Sequence, residues 1–139
     1  MESVSRKVIR LALLTIVGGA FLYAGITKAL DPGTFATDIA HYRLGAWWQA
    51  VALAFYLPFL EIIAAGALFF PNTRQASLLV LLCLTCIFTA ALFSAELRHL
   101  DINCGCFGAS QPQMSIRFAL GRNCLFLTAL YFSLRWARR

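Results

Sequence analysis

LALLTIVGGAFLYAGITKAL, residues 11–30, carries a single charge, Lys28, near its far end. About 20 apolar residues are what an α-helix needs to cross the hydrocarbon core of a bilayer. In lipid the backbone groups must find their partners within the segment itself, so the run predicts a membrane-spanning helix. Three more apolar runs follow, at about 49–70, 76–95 and 116–134. No alternating ten-residue pattern suggests a barrel strand. Basic residues precede the first run, as in a signal peptide, but the run is long for one and no small-residue cleavage site follows it, so a retained helix is expected.

Composition agrees. Of 139 residues, 60% are hydrophobic and 13% charged, and the mean hydropathy is +0.74. A soluble domain carries about 25% charged residues, so this chain cannot cover a water-facing surface. The expected fold is an all-α integral membrane protein: one domain, residues 1–139, built as a four-transmembrane-helix bundle.

Four spans put both termini on one side. That side, with the loop 71–75, carries Arg6, Lys7, Arg10, Arg74, Arg135, Arg138 and Arg139 against Glu2. The other carries Lys28, Arg43, Arg98, Arg117 and Arg122 against Asp31, Asp38, Glu96 and Asp101. The positive-inside rule then makes the termini cytoplasmic and turns loops 31–48 and 96–115 outward. A net charge of +6 suits anionic lipid, and nothing interleaves these residues into a nucleic-acid surface. Trp47, Trp48 and Tyr42 read as an outer aromatic belt and Trp136 as an inner one. Segment 31–44 opens with Asp-Pro-Gly-Thr and places Phe35, Ile39 and Tyr42 on one helical face, which predicts a short interfacial helix in the first outer loop, with an ordered loop on the bilayer as the alternative.

The second outer loop holds Cys104 and Cys106 around Gly105, followed by Phe107 and Gly108. An outward loop meets an oxidising compartment, where disulfides persist. A bridge across one residue closes too small a ring to stabilise by chain entropy. Its geometry is strained, which favours exchange over permanence. Free thiols, or a bridge to another cysteine, are the alternatives. A soft metal ion is a third, since two thiolates fall short of a structural zinc site. Cys83 and Cys86, at i and i+3 in the third run, and Cys124 in the fourth are expected to be buried filler, with a secondary thiol role as the alternative.

Glu61 lies mid-run, where a charge costs at least about 2.5–3.5 kcal/mol and normally faces a partner inside the bundle. Pro58, three residues earlier, loosens the helix there. Arg122 is the natural partner, because its side chain is long and always charged; Asn123 and Lys28 are further candidates.

Taken together, AGITKALDP (24–32), Tyr42, LPFLE (57–61), CGCFG (104–108) and RN (122–123) resemble the methylamine utilisation MauE family, a branch of the DoxX-like four-helix membrane proteins. The resemblance implies an inner-membrane bundle associated with maturation of a disulfide-rich periplasmic enzyme, beside a thioredoxin-like partner. It implies that Cys104 and Cys106 are a redox pair and that Lys28, Glu61, Arg122 and Asn123 form one polar cluster. Thiol–disulfide exchange or electron transfer at the periplasmic face is therefore the expected function. A quinone is the candidate acceptor, as in membrane disulfide oxidases, although the sequence carries no quinone signature and marks no other cofactor. The alternatives are a non-catalytic subunit or assembly factor of a larger complex, and a soft-metal-ion transporter using the thiols at successive depths.

Overall fold

The structure is a computed structural model that describes residues 3–100 and 115–138. Five helices follow in order: α1 (Val4–Leu30), α2 (Pro32–His41), α3 (Trp47–Ala67), α4 (Arg74–Leu97) and α5 (Ile116–Ala137). Among the described residues there is no strand. The Cys-Gly-Cys stretch, Cys104, Gly105, Cys106, Phe107 and Gly108, lies outside the described residues.

Among the described residues three helices, α1, α3 and α4, are long and apolar enough to cross a membrane. The α5 helix has a comparable 22 residues but is interrupted by Arg117, Arg122 and Arg135. Large apolar side chains point outward all around the bundle, among them Ile16, Phe55, Phe59, Ile63, Ile87, Phe93 and Leu125. Water would not tolerate so continuous an apolar surface. With charged groups inside and apolar groups outside, the molecule is built for lipid.

Local chemistry sets the ends. Asp31 caps α2 by accepting from the Thr34 backbone N–H at 3.1 Å and the Thr34 hydroxyl at 2.7 Å, and Pro32 opens the helix where its missing N–H costs nothing. Those two hydrogen bonds hold the Asp31 carboxyl below its usual range. The turn between α3 and α4 is closed by the Thr73 hydroxyl, which donates to the Ala67 carbonyl at 2.9 Å, and by Arg74 Nε, which donates to the Leu68 carbonyl at 3.0 Å. Both satisfy carbonyls that the end of α3 leaves without helical partners.

The face expected to lie on the bilayer, Phe35, Ile39 and Tyr42, is turned instead onto the bundle. Phe35 packs with Ala36 and Ala54, and Tyr42 packs with Leu92, Ala95 and Ala119. Tyr42 is therefore not a belt residue: burial pushes its phenol up to about 12, with Asp38 adding to the shift and Arg122 opposing it. Trp47 and Trp48 are exposed, as a belt requires.

The helices associate in two couples. The α1 helix packs chiefly on α3, and α4 chiefly on α5, with lighter contact between the couples. Lipid tails are as apolar as leucine, so spanning helices join through close packing and polar contacts. Small residues make this possible on α1. A Cβ at Gly25 would lie 2.8 Å from Ile62 Cγ1 and 3.0 Å from the Pro58 carbonyl oxygen, whereas one at Gly19 would meet nothing within 4 Å. One apolar cluster, with Leu14, Leu68, Leu81, Leu130 and Leu134, fills the end nearer the termini. A smaller one around Tyr42 and Leu92 fills the other end.

Two outcomes are expected. Gly25→Ala should destabilise the protein by about 1–3 kcal/mol in a reversible unfolding assay in lipid, while Gly19→Ala should be neutral or stabilising by up to about 1 kcal/mol. For Asp38 on α2, burial raises the carboxyl above its usual 3.8, with His41 opposing and Asp31 reinforcing the shift. Burial therefore penalises its ionised form. As pH falls from neutral through the raised value toward 3.8, this penalty disappears and the docking of α2 is strengthened, a dependence that Asp38→Asn should remove from a thermal-stability profile.

Candidate functional site

Between the two apolar clusters lies a group of polar side chains drawn from α1, α3, α4 and α5. Lys28 on α1 is 2% exposed and Glu61 on α3 is 1% exposed. The Lys28 ammonium donates to Glu61 Oε1 at 2.9 Å and to Oε2 at 3.0 Å. The close approach at Gly25 sets this register: Gly25 faces Pro58, Glu61 and Ile62, and Lys28 lies about one turn further along the same face of α1. At about 1.5 Å per residue, Glu61 sits roughly 21 Å from the start of α3, well inside the bilayer.

The expected pairing of Glu61 with Arg122 is thus corrected. Its partner is Lys28, because α1 and α3 belong to the same tightly packed couple and α5 to the other. Aromatic rings complete the ammonium's surroundings, with the Phe35 ring centroid 5.1 Å and the Phe88 centroid 4.9 Å from Nζ. Both lie within the roughly 6 Å range of cation–π attraction.

Arg122 and Asn123 come from α5. Asn123 is buried and donates from Nδ2 to Thr89 Oγ1 at 3.3 Å. Thr89 and Thr85, one turn apart on α4, spend their hydroxyl hydrogens on the Thr85 and Leu81 carbonyls, at 2.6 and 2.7 Å. A cavity of about 40 Å³ opens among these groups, lined by Ala20, Phe21, Ala24, Lys28, Glu61, Thr85, Phe88, Arg122, Asn123 and Phe126. All four polar residues expected to cluster are therefore brought together. Sequence reasoning missed Thr85, Thr89, Phe35 and Phe88. The threonines carried a signal, i and i+4 spacing in an otherwise apolar run, whereas the aromatic pair carried none.

A second, larger space of about 590 Å³ lies between α2, α3 and α4, with Trp48, Leu53, Leu57, Ile87, Phe88 and Ala91 among its walls. Phe88 is common to both spaces.

The expectation that the intramembrane cysteines are buried filler is also corrected. Cys83, Cys86 and Cys124 are free thiols on the exposed faces of α4 and α5. Helical geometry turns them outward because Leu81, Leu84 and Thr85 occupy the inner face of α4, and Asn123 occupies that of α5. None of the three lines the cavity.

Where α4 ends and α5 begins, Arg117 donates to Glu96 Oε1 at 3.0 Å, linking the two helices. Arg98 donates to the Tyr42 carbonyl, linking α4 to the end of α2. Exposed pairs such as the first contribute little energy, but together the two bonds tie α2, α4 and α5 to one another.

Removing one member of the buried pair leaves the other charge uncompensated. Lys28→Met or Glu61→Leu alone should each cost about 3–5 kcal/mol, while the double variant should recover most of the loss. Unfolding measurements on the three variants in one lipid composition check this.

Neither curated proteins nor solved structures provide a match to the chain. The family described as methylamine utilisation protein MauE matches residues 6–135. That match runs from the first turn of α1 to the last turn of α5 and takes in the Lys28–Glu61 pair, Arg122, Asn123 and the Cys-Gly-Cys segment, and the chain is a membrane protein belonging to the MauE family.

Proposed function

We propose that this protein carries out thiol–disulfide exchange at the outer face of the bacterial inner membrane, through Cys104 and Cys106. The observation that carries the reading is the place of this pair in a MauE-family chain: in the connection between α4 and α5, at the end of the bundle where Glu96–Arg117 and Arg98–Tyr42 anchor the neighbouring helices. In the exchange, a thiolate of the pair attacks a disulfide sulfur of a partner and a mixed disulfide forms. The second cysteine then displaces the partner's thiolate, leaving Cys104–Cys106 oxidised and the partner reduced by two electrons; the reverse sequence oxidises the partner. A thioredoxin-like or disulfide-rich periplasmic protein suits this role.

In the proposed topology α5 is the fourth crossing. Its pairing with α4 supports this, as do its inward Asn123 and its outward Phe118, Leu125 and Phe132. Orientation is supported by charge. Lys28 and Arg122 are drawn toward the bundle interior, which leaves Arg43, Arg98 and Arg117 at the outer end against seven basic residues at the other.

With Cys104→Ser or Cys106→Ser, a mixed disulfide with a co-expressed periplasmic partner should be trapped. Replacing both should change the partner's disulfide content. No adduct and an unchanged partner would reject the reading in favour of a non-catalytic subunit. In intact cells a membrane-impermeant thiol reagent should label reduced Cys104 and Cys106 from the periplasmic side, while Cys83, Cys86 and Cys124 should react only with lipid-soluble reagents.

A further inference from the structure

The cavity beside Lys28 is not accounted for by thiol exchange. Its polar wall consists of buried, positioned groups. Lys28 has three N–H donors, and Glu61 takes two of them. Asn123 spends one of its two amide hydrogens on Thr89. The Glu61 carboxylate, the one anion on the wall, already accepts from Lys28 at both oxygens. The small polar part of the lining thus keeps N–H donors of Lys28 and Asn123 that are not spent on Glu61 or Thr89, in a wall that is mostly apolar.

Size and approach narrow the occupant. About 40 Å³ exceeds the roughly 10–15 Å³ that a water molecule needs in such a cavity and suits a small polar group, a carbonyl or a carboxylate, rather than a whole lipid. The remaining wall is apolar: Ala20, Phe21 and Phe126 are only partly buried and so carry the cavity's rim to the outer surface of the bundle. They belong to α1 and α5, which pack on each other less closely than each packs on its own partner. Phe21 and Phe126 stand 5.8 Å apart with a 55° tilt between their rings. At this depth the surrounding medium is hydrocarbon, so a ligand entering past these residues comes from the bilayer.

The geometry points to a binding site for the acceptor oxygen of a lipophilic molecule, with that oxygen at Lys28 and Asn123 and its apolar body lying between α1 and α5. Two membrane-borne sources share this chemistry, the carbonyl of an isoprenoid quinone and the carboxylate of a fatty acid. A quinone would give the site a redox meaning that rests on the proposed thiol exchange: two thiols and one quinone yield one disulfide and one quinol, with two electrons and two protons transferred.

The test uses the full chain in quinone-free nanodiscs, with a decyl-substituted benzoquinone and oleate as separate probes. Saturable binding of one probe per chain is expected. Asn123→Leu, which removes a donor, and Ala20→Phe, which blocks the rim, should each weaken it by about tenfold or more. Which probe saturates identifies the source. Two variants guard against a misfolded one, and circular dichroism reports folding. The proposal is overturned if neither probe saturates, or if binding survives unchanged in both variants, as simple partition into lipid would. Mixed-disulfide trapping is run in parallel. A trapped adduct without probe binding overturns the cavity proposal alone, and probe binding without an adduct overturns the thiol reading alone.

Discussion

A lysine and a glutamate facing each other in the middle of a lipid-facing bundle are the constraint around which the rest is arranged. Neither charge is tolerable alone at that depth, so the pairing dictates the register of α1 against α3. Gly25 is open enough to let the helices meet, and Pro58 presents its carbonyl at the same level. The position of Lys28 in the last turn of α1 adds a favourable helix-dipole contribution. Phe35 and Phe88 then surround the ammonium with ring faces rather than aliphatic carbon. Buried ion pairs are seldom a cheap route to stability, since a well-packed apolar substitute often does as well. Here the pair sits against an open space instead of being sealed.

The arrangement of the helices in two couples explains where that space lies. Within the first couple the absence of a side chain at Gly25 gives close packing, and within the second α4 lies chiefly against α5. Between couples the contact is lighter, and the polar side chains of both meet there with apolar clusters above and below. At one end, Arg98 and the Glu96–Arg117 pair tie α2, α4 and α5 together.

Much of this was legible in the sequence. The apolar runs predicted the helices to within a few residues, apart from α1, which starts at Val4 rather than near residue 11. Asp-Pro-Gly-Thr marked the start of α2. Glu61 was recognisable as a bundle-facing group because a charge in such a run has no other tolerable place. Its partner was misread because run lengths give depth but not which helices are neighbours; depth and reach favoured Arg122, while the close approach at Gly25 favours Lys28. The cysteines were misread for a related reason. Composition makes cysteine a buried residue on average, and only the phase of α4, set by Leu81, Leu84 and Thr85, turns Cys83 and Cys86 outward. The Cys-Gly-Cys pair was recognisable through its family motif and lies outside the described residues.

Phe88 belongs at once to the aromatic surroundings of Lys28, to the small polar cavity and to the wall of the 590 Å³ cleft. The ring of Phe88 thus touches both a buried ammonium and a space wide enough for a lipid chain. That ring is one of the apolar groups that surround the ion pair. Whatever fills the cleft, and however the ring turns about its Cα–Cβ bond, acts directly on the most expensive charges in the molecule. The bilayer is accordingly part of the electrostatic environment of this site as well as the medium that surrounds it.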